Sequence, residues 1–477
     1  MPAFSLEPAQ TAWCAELRGL AADRLRPLAE KGEPGHVNRP LLAELGRLGL
    51  LRRVFASGAL DLCLMRESLA HACTEAETAL ALQGLGAHPV HAHGTPAQRE
   101  RWLPAVTEGT AVPAFALTEP DAGSDAGALR LRAEEEGGSG GGAGLVNSAG
   151  PERPSGVTGG GAGAWRGAPS GSADAGADAE RPSGVAGGGA APVPGPAASG
   201  GAGEWPAGTA GNAGPRAGRI ASAPGAASVA GGPTAVPDGR RRWRLTGEKC
   251  WISNAPEADF YTVFARTTPG AGARGVTAFL VPADRPGLTG EALEMLSPHP
   301  IGAVRFDAVP VTADDVLGEV DRGFRVAMGT LNLFRPSVGA FAVGMAQAAL
   351  DATVTHTAGR RAFGGTLRDL QAVSHQVAEM ALRTEAARLM VYAAATAYDD
   401  GAPGVPARAA MAKLLATETA QYVVDAAVQL HGARALRRGH LLEHLYREVR
   451  APRVYEGASE VQRGIIAKEL YANLEAE

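Results

Sequence analysis

The order of hydrophobic patterns along the chain restricts its fold more than any other feature. Helical periodicity comes first, β-type alternation follows, and helical periodicity closes the sequence. Residues 1–112 read as helical. Ala9–Leu28 is rich in Ala, Leu and Arg, with apolar positions at helical spacing. Pro40 suits the first turn of a second helix, where its missing N–H costs nothing. Leu41, Leu42, Leu45, Leu48 and Leu50 supply the apolar face of that helix. Leu60–Leu85 is a further helix-favouring stretch, and Thr95-Pro96 followed by Gln98 predicts a helix start capped by Thr95.

The texture changes near Val112. Trp243 and Leu245 alternate with polar neighbours, while Phe260–Ala265 and Val276–Val281 are rich in β-branched and aromatic residues. Turns such as Pro269-Gly270 and Pro286-Gly287 separate them. From Gly323 the helical pattern returns. Leu370, Val373, Val377, Met380, Ala381 and Thr384 share one face, and Ala407–Leu430 predicts a long Ala-rich helix ended by Gly432. This segregated order predicts an α+β fold, mostly α, and not alternating β-α-β units. The expected parts are an N-terminal helical domain (1–112), a middle antiparallel β domain (113–322) and a C-terminal helical domain (323–477).

Residues 137–238 do not fit either pattern. They are almost all Gly, Ala, Pro and Ser, and much of the chain's 64 Gly and 33 Pro is concentrated there. Such a segment has too little apolar surface to offset the entropy of ordering it, so a disordered insert without catalytic role is expected. Glu152-Arg-Pro-Ser-Gly-Val157 recurs as Glu180-Arg-Pro-Ser-Gly-Val185, too few copies to stack as a solenoid. Gly138-Ser139-Gly140-Gly141-Gly142-Ala143 satisfies a relaxed nucleotide-binding pattern, but without a preceding strand and a following helix such a match means little, and in a Gly-rich tract it is expected by chance.

Bulk properties remove several function classes. A net charge of −5 argues against a nucleic-acid binder. No apolar run approaches the length of a membrane span, and Met1–Gln10 lacks the pattern of a secretory signal. Cys14, Cys63, Cys73 and Cys250 form no C-x-x-C pair and read as small buried hydrophobes in a reducing cytoplasm. No metal site is expected.

Three stretches carry polar chemistry. Phe115-Ala-Leu-Thr-Glu-Pro-Asp-Ala-Gly-Ser-Asp125 packs hydroxyls, carboxylates and glycines into a loop after a short apolar run. It reads equally as a ligand loop or as an elaborate turn and cap. Gly247-Glu-Lys-Cys-Trp-Ile-Ser-Asn254 sets an indole beside a hydroxyl, which suits a planar heterocycle, although a buried Trp is more often core. Val454-Tyr-Glu-Gly-Ala-Ser-Glu-Val-Gln-Arg463 places Glu456 before a helix start, as a base or as a partner of that helix end.

In this order the three stretches resemble the acyl-CoA dehydrogenase family. Phe363-Gly364 with Gln371, and Gln429-Leu-His-Gly432 before Tyr446-Arg447, match it too, so the resemblance covers the chain outside 137–238. It implies a helical N-terminal domain, a middle β domain and a C-terminal four-helix bundle, assembled as a homotetramer or homodimer. It places the insert at a β-hairpin turn, between Glu136 and the strand around Trp243. It implies FAD as cofactor and an acyl-CoA substrate, with Glu456 removing the α-proton and flavin N5 accepting the β-hydride to give the trans-2-enoyl product. The Glu456 N–H should then face the thioester carbonyl. Some members carry the base just before an arginine on an earlier helix. That place is Phe334-Arg335 here, and Phe cannot act as a base.

By the same resemblance Arg335 tunes the base. Leu117, Thr118, Trp251 and Ser253 surround the isoalloxazine ring, and Ser124 contacts flavin phosphate or the pantetheine arm. Arg360, Phe363, Gln371, Gln429 and Gly432 bind the pyrophosphate and adenosine end, partly across a subunit interface. The chain departs from the family at Gly432-Ala433-Arg434-Ala435, where glycines are usual, and at Ala458, where Thr is usual. An electron-transfer flavoprotein is the implied acceptor. A carrier-protein-linked dehydrogenase, an acyl-CoA oxidase and a non-catalytic flavoprotein scaffold are the alternatives on the same fold.

Overall fold

A computed structural model describes residues 6–137 and 241–476. Helices come first. Pro8–Leu20 (α1) runs through a π turn at Ala21–Leu25 into Arg26–Ala29 (α2). Arg39–Arg47 (α3), Leu50–Ala56 (α4), Ala59–Ala72 (α5), Thr74–His93 (α6) and Pro96–Thr107 (α7) follow. Asn38 caps α3 through Leu41 N–H, with Pro40 in the first turn. Thr95 caps α7 in a reciprocal box: its hydroxyl accepts from Gln98 N–H at 3.2 Å and Gln98 Oε1 accepts from Thr95 N–H at 2.7 Å. The single helix expected over Leu60–Leu85 is two, because Cys73 adopts an extended backbone (φ −156°) between α5 and α6.

The strands are Pro113–Ala116 (β1), Arg132–Glu135 (β2), Arg242–Ser253 (β3), Phe260–Arg266 (β4), Val276–Pro282 (β5), Leu288–Ala292 (β6), Ile301–Thr312 (β7) and Val316–Leu317 (β8). They form one sheet in the order β6-β7-β3-β2-β4-β5-β8, with β1 also paired to β4. Most neighbours are antiparallel, but β1 and β2 both run parallel to β4. The chain enters beside β4 as β1, leaves through the Thr118–Asp125 loop, and returns beside β4 in the same direction as β2. β2 and β3 are antiparallel partners, with Glu135 opposite Trp243. Residues 138–240, and with them the relaxed glycine motif and the repeat, lie outside the described residues.

The C-terminal part consists of Gly323–Gly359 (α8), a small ribbon of Arg361–Ala362 (β9) and Gly365–Thr366 (β10), then Gln371–Asp399 (α9), Val405–His431 (α10), Leu441–Glu448 (α11) and Ser459–Ala476 (α12). α8, α9 and α10 pack on one another, with α12 on α10 and α5 on α8. One apolar core therefore joins the first and last helical segments: Leu17, Leu45, Leu62 and Leu69 share it with Phe341, Met345, Val391 and Val423. A second core fills one face of the sheet around Trp243, Phe279 and Phe306, and a third links its other face to α6, α7 and α8 through Val90, Phe260, Phe264 and Val326.

One expectation is corrected here. α8 is long and apolar enough to cross a membrane by length and composition, although no such run was read from the sequence. Most of its apolar window is buried against the protein, so that apolar surface is accounted for by the shared core. Cys14, Cys63 and Cys73 are buried as small hydrophobes, whereas Cys250, expected to be buried too, is only partly buried on β3, and no disulfide is present among the described residues.

Candidate active site

The three polar stretches form two walls, one made by strands and one by helices. The strand wall is built around Lys249, which is fully buried on β3. Its Nζ donates to Leu117 O at 2.9 Å and to Glu119 Oε1 at 2.8 Å. Glu119 also accepts from the backbone N–H groups of Arg130 (2.6 Å) and Leu131 (2.9 Å). Cys250 N–H donates to Thr118 O at 3.0 Å. The carbonyls of Leu117 and Thr118 are thus tied to β3, which leaves the Thr118 hydroxyl uncommitted among the described residues. Burial pulls the Lys249 ammonium down to about 8, against the opposing pull of Glu119.

A register shift in β3 between Lys249 and Ile252 turns Trp251 outward. Trp251 adopts φ 61° and is 54 % exposed. Ser253 stays in register, opposite Ile301 of β7. Asn254, also at positive φ, fixes the end of the stretch by donating from Nδ2 to Pro113 O at 2.9 Å. Leu117, Thr118, Trp251 and Ser253 therefore lie around one segment of β3, whereas Ser124 is exposed in the loop beyond.

The helix wall centres on Glu456, in the turn before α12. Its backbone sits at φ 51°, a left-handed conformation that a residue with a Cβ adopts only when held there. Four bonds hold it. Glu456 O accepts from Arg335 Nε (3.4 Å) and Gln462 Nε2 (3.3 Å), and Gly457 O accepts from Lys413 Nζ (2.7 Å) and Gln462 Nε2 (2.9 Å). Gly457, at φ 97°, has no room for a side chain, because a Cβ there would collide with Gln462 Nε2. Ser459 Oγ donates to Glu418 Oε1 at 2.6 Å and anchors the start of α12.

Glu456 Oε2 is sealed from solvent and has no hydrogen-bond partner among the described residues. Burial raises its pKa, and Arg66, Lys413 and Arg335 pull it back in that order. None of these three cations forms an ion pair with the carboxylate among the described residues. Lys413 and Arg335 are committed to backbone carbonyls, and Arg66 to Glu77 and Ser337. The N–H of Glu456 likewise has no acceptor among the described residues.

Phe334, buried on α8 next to Arg335, lies against Gly84 of α6, where an added Cβ would meet Phe334 Cζ at 2.8 Å. The remaining expected residues lie elsewhere. Arg360 follows α8, Phe363 stands 90 % exposed on the β9–β10 ribbon, and Gln371 begins α9. Gln429 and Gly432 are exposed at the end of α10. At 1.5 Å rise per residue, Arg360 lies roughly 35 Å along α8 from Arg335. Within one chain this second group does not meet the two walls.

Three family models for acyl-CoA dehydrogenases match the chain: the N-terminal domain over residues 7–110, the middle domain over 220–309 and the C-terminal domain over 321–471. The chain belongs to the acyl-CoA dehydrogenase family. It is 38 % identical over 231 residues to the probable acyl-CoA dehydrogenase FadE25 of Mycobacterium tuberculosis, a match covering 48 % of this chain and 59 % of that protein. It is 41 % identical over 254 residues to the mitochondrial short-chain specific acyl-CoA dehydrogenase of Bos taurus, covering 52 % of this chain and 61 % of the other. The chain thus spans about six tenths of the length of these curated relatives. Among solved structures, the butyryl-CoA dehydrogenase of Megasphaera elsdenii superposes with a TM-score of 0.72 at 26 % identity, covering 98 % of this chain and 99 % of that one.

Acyl-CoA dehydrogenases bind FAD, and the strand wall suits such a group. A half-exposed indole gives a flat apolar surface, and the Thr118 hydroxyl beside it is an uncommitted donor. Sequence reasoning missed Arg66, Glu77, Lys413 and Gln462. A signal was present: Arg66, Glu77 and Lys413 interrupt otherwise apolar helical runs, and charges buried in such runs need partners.

Proposed function

We propose that the protein is an FAD-dependent dehydrogenase that converts an acyl-CoA thioester to its trans-2-enoyl product, with Glu456 as the base. The observation that carries this reading is a carboxylate with three cations near it, paired to none, and with one oxygen sealed and unpartnered. A structural ion pair would have closed on the nearest guanidinium or ammonium. A base must stay unbonded until substrate arrives, and burial makes it stronger by disfavouring its charged form.

The α-proton of a thioester is too weakly acidic for a free carboxylate at neutral pH. The Glu456 N–H, which lacks an internal acceptor, supplies a donor for the thioester oxygen, where negative charge develops. Arg335, Gln462 and Lys413 hold the neighbouring carbonyls, so the donor needs no reorganisation during the reaction. Leu117, Thr118, Trp251 and Ser253 would hold the flavin ring, and Ser124 its phosphate or the pantetheine arm. When bound, FAD supplies the acceptor for the β-hydrogen. Arg360, Phe363, Gln371, Gln429 and Gly432 would serve the adenosine end of a flavin held by a second copy of the chain, consistent with their distance from the walls. An electron-transfer flavoprotein reoxidises the cofactor in this reading.

The test is anaerobic bleaching of the flavin across a panel of acyl-CoAs. Glu456→Gln should keep the yellow colour and slow bleaching by about a thousandfold. A variant that bleaches at the wild-type rate removes Glu456 from the role of base.

A further inference from the structure

Behind the base lies a buried charged group that the proposed reaction does not use. Arg66 of α5 is 3 % exposed and Glu77 of α6 is fully buried. Arg66 Nε is ion-paired to Glu77 Oε1, and Arg66 Nη1 donates to Ser337 Oγ of α8 at 2.7 Å. Ser337 Oγ in turn donates to Phe334 O at 2.8 Å. The guanidinium thus bridges three helices and cannot swing. Ser337 is two residues along α8 from Arg335, whose Nε donates to Glu456 O at 3.4 Å, so Arg66 is anchored beside the element that holds the base, and its charge favours ionised Glu456.

We infer that Glu77 is a positioning residue for the reaction: by holding Arg66 in an ion pair it keeps that cation from closing on the base and weakening it. This inference rests on the role proposed for Glu456. Arg66 is bonded to one carboxylate, Glu77, while its charge also acts on a second, Glu456. Paired to Glu77, it approaches Glu456 as half of a near-neutral unit. Released, it would present a full charge in a low-dielectric interior, where a nearby guanidinium can form a charge-assisted bond to a carboxylate. Other charged groups complete the surroundings. Lys413 of α10 and Arg335 of α8 also act on Glu456, Tyr455 lies within reach of Arg66, and His299 acts on Glu77. Glu418 and Glu460 act on Lys413. None of these groups is replaced in the variants, and Glu77→Gln also withdraws a charge that favours protonated His299.

The two partners then have opposite effects on one titration. Glu77→Gln removes the counter-charge, so the Glu456 pKa falls. Arg66→Met removes the cation, so it rises. Each shift should be about one pH unit. The double variant Arg66→Met/Glu77→Gln removes both and should return towards the wild type. Because it leaves no unpaired buried charge, it also covers the case in which Arg66→Met alone fails to fold.

Two readouts on the FAD-loaded enzyme check this: the pH dependence of anaerobic flavin reduction by butyryl-CoA, and an infrared titration of the Glu456 carboxyl, assigned by its loss in Glu456→Gln. Opposite shifts with partial cancellation support the inference. Shifts of the same sign, or none, overturn it, since a merely structural role for the pair lowers rate or stability without moving the titration in opposite directions. The infrared arm separates the two proposals. If Glu456→Gln still reduces its flavin, the base assignment fails, while the carboxyl titration still reports whether Glu77 shields Glu456 from Arg66.

Discussion

The two walls of the site hold their buried charges in opposite ways. On the strand wall one cation meets one carboxylate. Lys249 and Glu119 bond each other, and their remaining bonds go to backbone groups of the same loop. On the helix wall three cations stand near one carboxylate and are all bonded elsewhere. The first arrangement fixes a surface, because satisfied polar groups make the loop rigid. The second leaves a carboxylate oxygen unsatisfied among the described residues, a cost ordinarily avoided in protein interiors, and in the proposed reading that keeps the base free to react. The contrast teaches that burial with a partner builds a support and burial without one builds a reagent.

The sharpest break of this contrast after removal of the base itself is Lys249→Met. It leaves Glu119 buried and unpaired, which should cost about 3–5 kcal/mol of stability. Denaturant unfolding measures this, and the flavin content of the purified protein should fall with it. Next is Gly457→Ala, which puts a Cβ into Gln462 Nε2 and strains a left-handed backbone by about 1–3 kcal/mol. Flavin binding should survive, while bleaching slows by about tenfold or more. Unchanged bleaching would show that the position of the Glu456 peptide matters little.

A smaller effect is expected from Lys413→Met. Removing a cation that favours ionised Glu456 raises the base's pKa, so the acid limb of the bleaching rate should move to higher pH. Burial draws the Lys413 ammonium itself down to about 8, so its charge fades as pH rises through that value. The variant and the wild type should therefore differ most below pH 8 and converge above it. The smallest effect is expected where neither wall is touched. Replacing residues 138–240 with a two-residue turn between β2 and β3 should leave bleaching within about twofold, since loop-closure entropy varies slowly with length.

The sequence showed the helix–strand–helix order because each segment has its own period. Thr95 with Gln98 was legible as a cap because a capping box is a local device. The hairpin position came from the family resemblance, and β2 and β3 are indeed partners. The break at Cys73 was not, since Cys and Thr do not forbid a helix and the extended residue is set by how α5 and α6 pack. The parallel pairing of β1 was also hidden, because a four-residue strand carries no sign of its direction. Around the candidate site, residues within continuous motifs could be named, while Arg66, Glu77 and Lys413 lie on three separate helices and are brought together only by folding; Gln462 lies inside the third motif, but nothing in the motif shows that its amide bonds the Glu456 and Gly457 carbonyls.

β3 carries a last consequence. Eight residues of extended chain, roughly 25 Å, separate Trp243, at the hairpin end, from Trp251. A change of chain length at that tip therefore enters the sheet at the end of β3 remote from Trp251.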